Sequence, residues 1–164
     1  MAAKNLPNWR GHRRRVTFRQ YLRFRLGSRG GASTWFNFFV KPFGAASLSE
    51  FWRLWNPVYG YFLYYYSYRP LSRTMPRGIA KMVTFALCGF ALHDLPAWVI
   101  TRRILPPGAT IAFILFGLGA VLSDALHMDM SRWSFAGRAT VIAGYLASCV
   151  VAMLAIVRYI VQIG

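Results

Sequence analysis

Residues 78–100 read GIAKMVTFALCGFALHDLPAWVI. The run is long enough to cross a bilayer, which takes about 20 residues. It also carries Lys81 near its start and His93, Asp94 and Pro96 near its end. Ionisable groups inside such a segment are costly and mark a functional or structural contact. Two further apolar runs follow. Residues 104–123 hold no charge, and residues 139–164 carry only Arg158, near the end. Together they predict an all-α, multi-pass helical membrane protein, with about three transmembrane helices preceded by N-terminal interfacial helices.

Composition agrees with that class. Of 164 residues 56% are apolar, which excludes intrinsic disorder. Having only two cysteines, Cys88 and Cys149, both in apolar runs, excludes a disulfide scaffold. Lys and Arg number 20 against 4 Asp and Glu, and no acid precedes Glu50. Cations are dense before the first run, through Arg69, Arg73, Arg77 and Lys81. The positive-inside rule therefore puts the N-terminal third in the cytoplasm. The first span then exits, the second returns and the third exits again, which leaves Arg102 and Arg103 on the outer loop. No phosphate-binding loop, dinucleotide fingerprint or Cys-x-x-Cys motif is present.

Residues 1–34 form a basic arm and residues 35–164 the helical membrane domain. Within the arm, residues 17–26 read TFRQYLRFRL. Phe18, Tyr21 and Leu22 share a helical face, while Arg19 and Arg23 form an i,i+4 pair elsewhere. A basic amphipathic helix of this kind lies among anionic headgroups. Nucleic acid would suit the same charge, but a chain with three spans already sits at a lipid surface. Residues 35–43 are again aromatic and predict a short interfacial or partly buried helix. Residues 51–68, FWRLWNPVYGYFLYYYSY, hold six of the nine tyrosines. Such amphipathic rings favour the membrane–water boundary. Ser47 and Glu50 have the spacing of a capping box, so a helix starts there and Pro57 bends or interrupts it.

Three ordered blocks carry a further signal: SLSEFWRLWN at 47–56, YRPL at 68–71, and FALCGFALH at 85–93. The series resembles the membrane-bound O-acyltransferase family, which includes bacterial polysaccharide O-acetyltransferases. That family has a Ser-x-x-x-Phe-Trp-Arg-x-Trp block ending in His or Asn, a Tyr-x-Pro-Leu segment, and a helix ending in a Gly-rich turn and an essential His. The likeness covers roughly residues 35–125, so the chain resembles a shortened member, the C-terminal motif-bearing half. It departs from the pattern at Pro57, after Asn56, and at Asp94, after His93.

The resemblance implies transfer of an acyl group from a thioester donor, acyl-CoA or acyl carrier protein, to a hydroxyl of a lipid or glycan. No bound cofactor or metal is implied. A neutral imidazole serves as general base for the attacking hydroxyl, and an amide donor stabilises or orients the carbonyl. The resemblance assigns those functions to His93 and Asn56. It makes Arg53, Trp52 and Trp55 substrate-binding residues. Arg53 is also readable as a snorkelling headgroup contact, and the two tryptophans as packing residues. If the helix is regular, Ala86, Gly89 and Ala97 share a face with His93, a small face that leaves room for a substrate channel or a close helix approach. The bacterial inner membrane is the implied location. A competing account is a non-catalytic membrane subunit of a larger complex, derived from the same family. In either case three spans enclose little volume, so a protein partner or homo-oligomer would complete the fold. Asp124, His127 and Asp129 make a second polar group, with Asp124 and His127 on one helical face at i,i+3, read as a solvated loop rather than a metal site.

Overall fold

The computed structural model describes residues 16–27 and 32–163. Arm residues 1–15, and the break at 28–31, lie outside them. Every regular element among the described residues is helical. The segments are α1 (Phe18–Leu26), α2 (Ala32–Trp35), α3 (Leu48–Leu54), α4 (Pro57–Phe62), α5 (Arg69–Thr74), α6 (Arg77–Gly89), α7 (Leu95–Thr101), α8 (Gly108–Ala125) and α9 (Phe135–Ile163). Wide π-helical turns join α4 to α5 at Leu63–Tyr68 and α6 to α7 at Phe90–Asp94. A third π turn, Phe36–Val40, continues α2 and is followed by a 3-10 turn at Lys41–Gly44.

Three helices are long and apolar enough to cross a membrane: Arg77–Thr101, Gly108–Ala125 and Phe135–Ile163. The chain is an all-helical membrane protein with three candidate transmembrane helices. The second starts later than residue 104 because Pro106 and Pro107 cannot continue a helix from below. The third starts earlier than residue 139. Arg138 does not break it, because the guanidinium donates to the Gly44 carbonyl at 2.7 Å.

Contacts at both ends make α6 and α8 antiparallel. Lys81, one turn into α6, meets Asp124 in the last turn of α8. Gly89 and Asp94 meet Ala109 and Thr110 in its first turn. A Cβ on Gly89 would lie 2.7 Å from the Ala109 oxygen and the Thr110 Cα. Only glycine permits this approach of two backbones, the device by which membrane helices pack closely. Helix α9 returns along α8. Gly119 accommodates the Tyr145 ring, where a Cβ would collide with ring carbons. Many apolar side chains in the second half of α9, including Val151, Leu154 and Val161, remain exposed, as a lipid-facing surface would be.

The small core sits at the end of the bundle where α6 begins and α8 ends. Phe51, Met130 and Ile142 are fully enclosed there with Ala45. Ser47 caps α3 as expected, its hydroxyl accepting the Glu50 N–H at 3.1 Å. The reciprocal arm differs. The Glu50 carboxylate accepts from Ala46 N at 2.7 Å, one residue beyond the cap position. The Ala46 carbonyl in turn accepts from Met130 N, which ties the α8–α9 turn to α3. Pro57 begins a new helix instead of bending the old one, at the first-turn position where its missing N–H costs nothing.

Helix α1 forms as predicted, with a complete Thr17–Gln20 capping box. Most of its apolar face does not lie open, although Phe24 remains exposed. Phe18 packs on Tyr61 and Phe62 at 5.2 and 5.3 Å, and Tyr21 on Tyr61 at 5.4 Å. The Tyr61 hydroxyl donates to the Val16 carbonyl at 2.9 Å. The aromatic segment predicted to lie in the interface thus also serves as a platform for α1.

Candidate functional site

Helix α3 carries the Phe-Trp-Arg-x-Trp block against the spans. Its alternating directions separate two roles. Phe51 points into the core, stacked with Trp55 at 5.5 Å, and Trp55 meets Phe43 edge-on. Trp52, about 100° around the helix from Phe51, enters the cleft between the first two spans. It packs edge-on against Phe85 at 5.3 Å and against Phe116 at 5.0 Å. Its indole N–H donates to the Tyr145 hydroxyl at 3.1 Å, and that hydroxyl donates to the Phe116 carbonyl. One tyrosine therefore joins α3, α8 and α9.

Phe113 connects this block to the histidine. Its ring centroid is 6.2 Å from Trp52 and 5.0 Å from His93, with the imidazole nearly parallel at 26°. Trp52 and His93 lie far apart in sequence and meet through one aromatic ring. The His93 side chain is exposed. No protein group hydrogen-bonds its ring nitrogens among the described residues.

The small face expected around His93 is not formed. The π turn at Phe90–Asp94 inserts extra arc, so residues on its two sides lose the 3.6-residue phase. Gly89 is buried against α8, while His93 turns outward. The same turn aims Asp94 inward. Its carboxylate, only 7% exposed, accepts from Ala109 N at 3.0 Å and from Thr110 N and Oγ1 at 2.7 and 2.6 Å. A carboxylate from one span thus caps the N-terminus of the next, satisfying backbone donors that have no intrahelical partner. Asp94 has a structural task of its own, joining the first two spans.

Asn56 adopts a left-handed backbone, φ 37°, and its side-chain oxygen accepts the Tyr59 N–H at 3.3 Å. The amide oxygen is therefore engaged in capping α4, which leaves the NH2 group as the donor end. No hydrogen bond joins Asn56 to His93 among the described residues. Arg53 lies 3.7 Å from Glu50 across one helical turn.

The second polar group is divided. Asp124 is ion-paired with Lys81, whose ammonium also donates to Ser49 Oγ at 3.0 Å. It locks α3, α6 and α8 together and is not simply a solvated loop residue. His127 sits past the end of α8 with φ 51°, so it does not share a helical face with Asp124. Asp129 accepts from Ser131 N at 2.8 Å, a bond that holds its carboxyl below the usual range. Among the described residues no cluster of three His, Cys, Asp or Glu side chains is placed to hold a metal.

Sequence reasoning missed Phe113, Lys81 and Tyr145 as parts of this arrangement. Phe113 carries no signal within a uniformly apolar run. Tyr145 did carry one, because a phenol inside an apolar span needs a hydrogen-bond partner. Compared with family models, curated proteins and solved structures, the chain matches none.

Proposed function

We propose that the chain performs membrane-bound O-acyl transfer, with His93 as the general base. The observation that supports this reading most is the meeting of the Trp52 block and His93 on Phe113. These are the blocks by which the sequence resembles membrane-bound O-acyltransferases. A neutral imidazole with unengaged nitrogens accepts the proton of an acceptor hydroxyl as its oxygen attacks the thioester carbonyl. The carbon–sulfur bond breaks, the thiolate leaves and takes up the proton, and an ester remains. The Asn56 NH2 group, held by the engaged amide oxygen, is the donor for the developing oxyanion. Trp52 shapes the floor, Trp55 supports it from the core side through Phe51, and Arg53 contacts the donor. The acceptor is a lipid or glycan hydroxyl. With so small a bundle, a partner protein or second copy closes the chamber.

The proposed location is the bacterial inner membrane with a cytoplasmic N-terminus. Antiparallel spans put Arg69, Arg73, Arg77, Arg132 and Arg138 at one end and Arg102, Arg103 and Arg158 at the other, and the excess marks the cytoplasmic end.

The second reading, a non-catalytic membrane subunit, is favoured by one observation: Asn56 is a left-handed helix cap, a complete structural role by itself. Thiol release from short acyl-CoA donors, measured with the purified chain in nanodiscs and a lipid or glycan acceptor, separates the two. Acyl transfer predicts a loss of about 100-fold or more in His93→Ala, the usual contribution of a general base. Equal background rates in wild type and variant support the subunit reading.

A further inference from the structure

The chain's charge is uncompensated within the fold. Each of its four carboxylates is already engaged: Glu50 by Ala46 N and Arg53, Asp94 by α8, Asp124 by Lys81, and Asp129 by Ser131 N. Among the described residues the ion pairs involve only Arg53 and Lys81. The arginines of α1 therefore have no carboxylate to meet.

Their arrangement on α1 is specific. Tyr21 and Phe18 face α4. Arg19 and Arg23, one turn apart, lie about 180° from Tyr21 on the helix and are exposed. Arg25 lies over the Tyr21 ring, 5.7 Å from its centroid. Its guanidinium is thereby engaged on the Tyr21 side of the helix, away from Arg19 and Arg23. Phe18 and Tyr21 are held by Tyr61 and Phe62, so Phe24 is the one α1 ring left exposed among the described residues, a small area for insertion beside the cationic face.

We propose that α1 is a cationic plate for the phosphates of an anionic bilayer leaflet, held there by charge rather than by insertion. The three spans favour a lipid surface over a nucleic acid, because they keep the chain at the bilayer. Basic residues near such a surface gain about fivefold in binding per cation. Arg19 and Arg23 together then give about 25-fold.

The test is amide hydrogen exchange across residues 16–27 of the full chain, in nanodiscs of phosphatidylcholine alone or mixed with phosphatidylglycerol. Exchange should slow by about 25-fold in the anionic discs. The gain should vanish in Arg19→Gln/Arg23→Gln and in about 1 M salt, where the Debye length is about 3 Å. Equal exchange of that variant and wild type in phosphatidylcholine shows that α1 remains folded on α4; loss of protection there is tested again with Arg19→Lys/Arg23→Lys, which should keep the gain. Identical wild-type exchange in both discs overturns the proposal. So does a gain that survives high salt, which would indicate insertion. Stronger protection by RNA than by anionic lipid at equal phosphate would assign the plate to nucleic acid instead.

Discussion

Replacing Asp94 by alanine should release the joint between the first two spans. The carboxylate accepts three hydrogen bonds, at 3.0, 2.7 and 2.6 Å, in a site only 7% exposed. Loss of a capping side chain costs about 0.5–2 kcal/mol. Each backbone N–H left enclosed without a partner adds about 1–3 kcal/mol. The Ala109 and Thr110 N–H groups are both left so, although water entering the vacated space recovers part. A total of about 3–5 kcal/mol follows. For a chain of this size that lowers the melting temperature by about 10 °C. Asp94→Asn keeps the volume and one acceptor oxygen, so it should lose less than half as much. Thermal unfolding in one fixed detergent measures the difference, with Asp129→Ala, an exposed turn carboxylate, as the control. Amide exchange at Ala109 and Thr110 should rise in Asp94→Ala before the rest of α8 opens. Melting of Asp94→Ala together with the control, or unchanged exchange at those two amides, would refute the capping argument.

Other substitutions probe the same framework. Gly89→Val places carbon against the α8 backbone and should cost about 1–3 kcal/mol by overpacking. Gly144→Ala, with nothing within 4 Å of its Cβ, should be neutral or stabilise α9 by up to about 1 kcal/mol; both are read by the same unfolding assay. Trp52→Phe loses the bond to Tyr145 and should cost about 1 kcal/mol. Trp52→Ala also empties the cleft between the spans and should cost about 3–5 kcal/mol. A double-mutant cycle of Lys81→Ala and Asp124→Ala should give a coupling of only about 0.5–1 kcal/mol. Asp124 is 55% exposed at its side chain, so the coupling should weaken in high salt.

The legible features were those set by neighbours along the chain. The three spans follow from length and apolarity, and the Ser47 cap from a three-residue spacing. Boundaries shifted where one residue acted: Pro107 delayed α8, and Arg138 stayed in α9 because the Gly44 carbonyl accepts its hydrogen bond. What could not be read depends on distant partners. Asp94 caps a helix that begins 14 residues later, and Lys81 pairs with a residue on another span. The π turn at Phe90–Asp94 has no sequence rule, yet it decides that His93 faces outward and Asp94 inward. For the candidate site, order along the chain pointed to Trp52 and His93. Their connection through Phe113 required the packed helices.

That connection is what the functional reading depends on, and the His93 imidazole reports it directly. In the wild-type chain, its ring C–H proton resonances should be displaced upfield by the parallel Phe113 ring, with assignment by His93→Gln. In Phe113→Leu they should return toward the position of an unstacked imidazole. Resonances that ignore the Phe113 substitution would contradict the meeting of the two blocks.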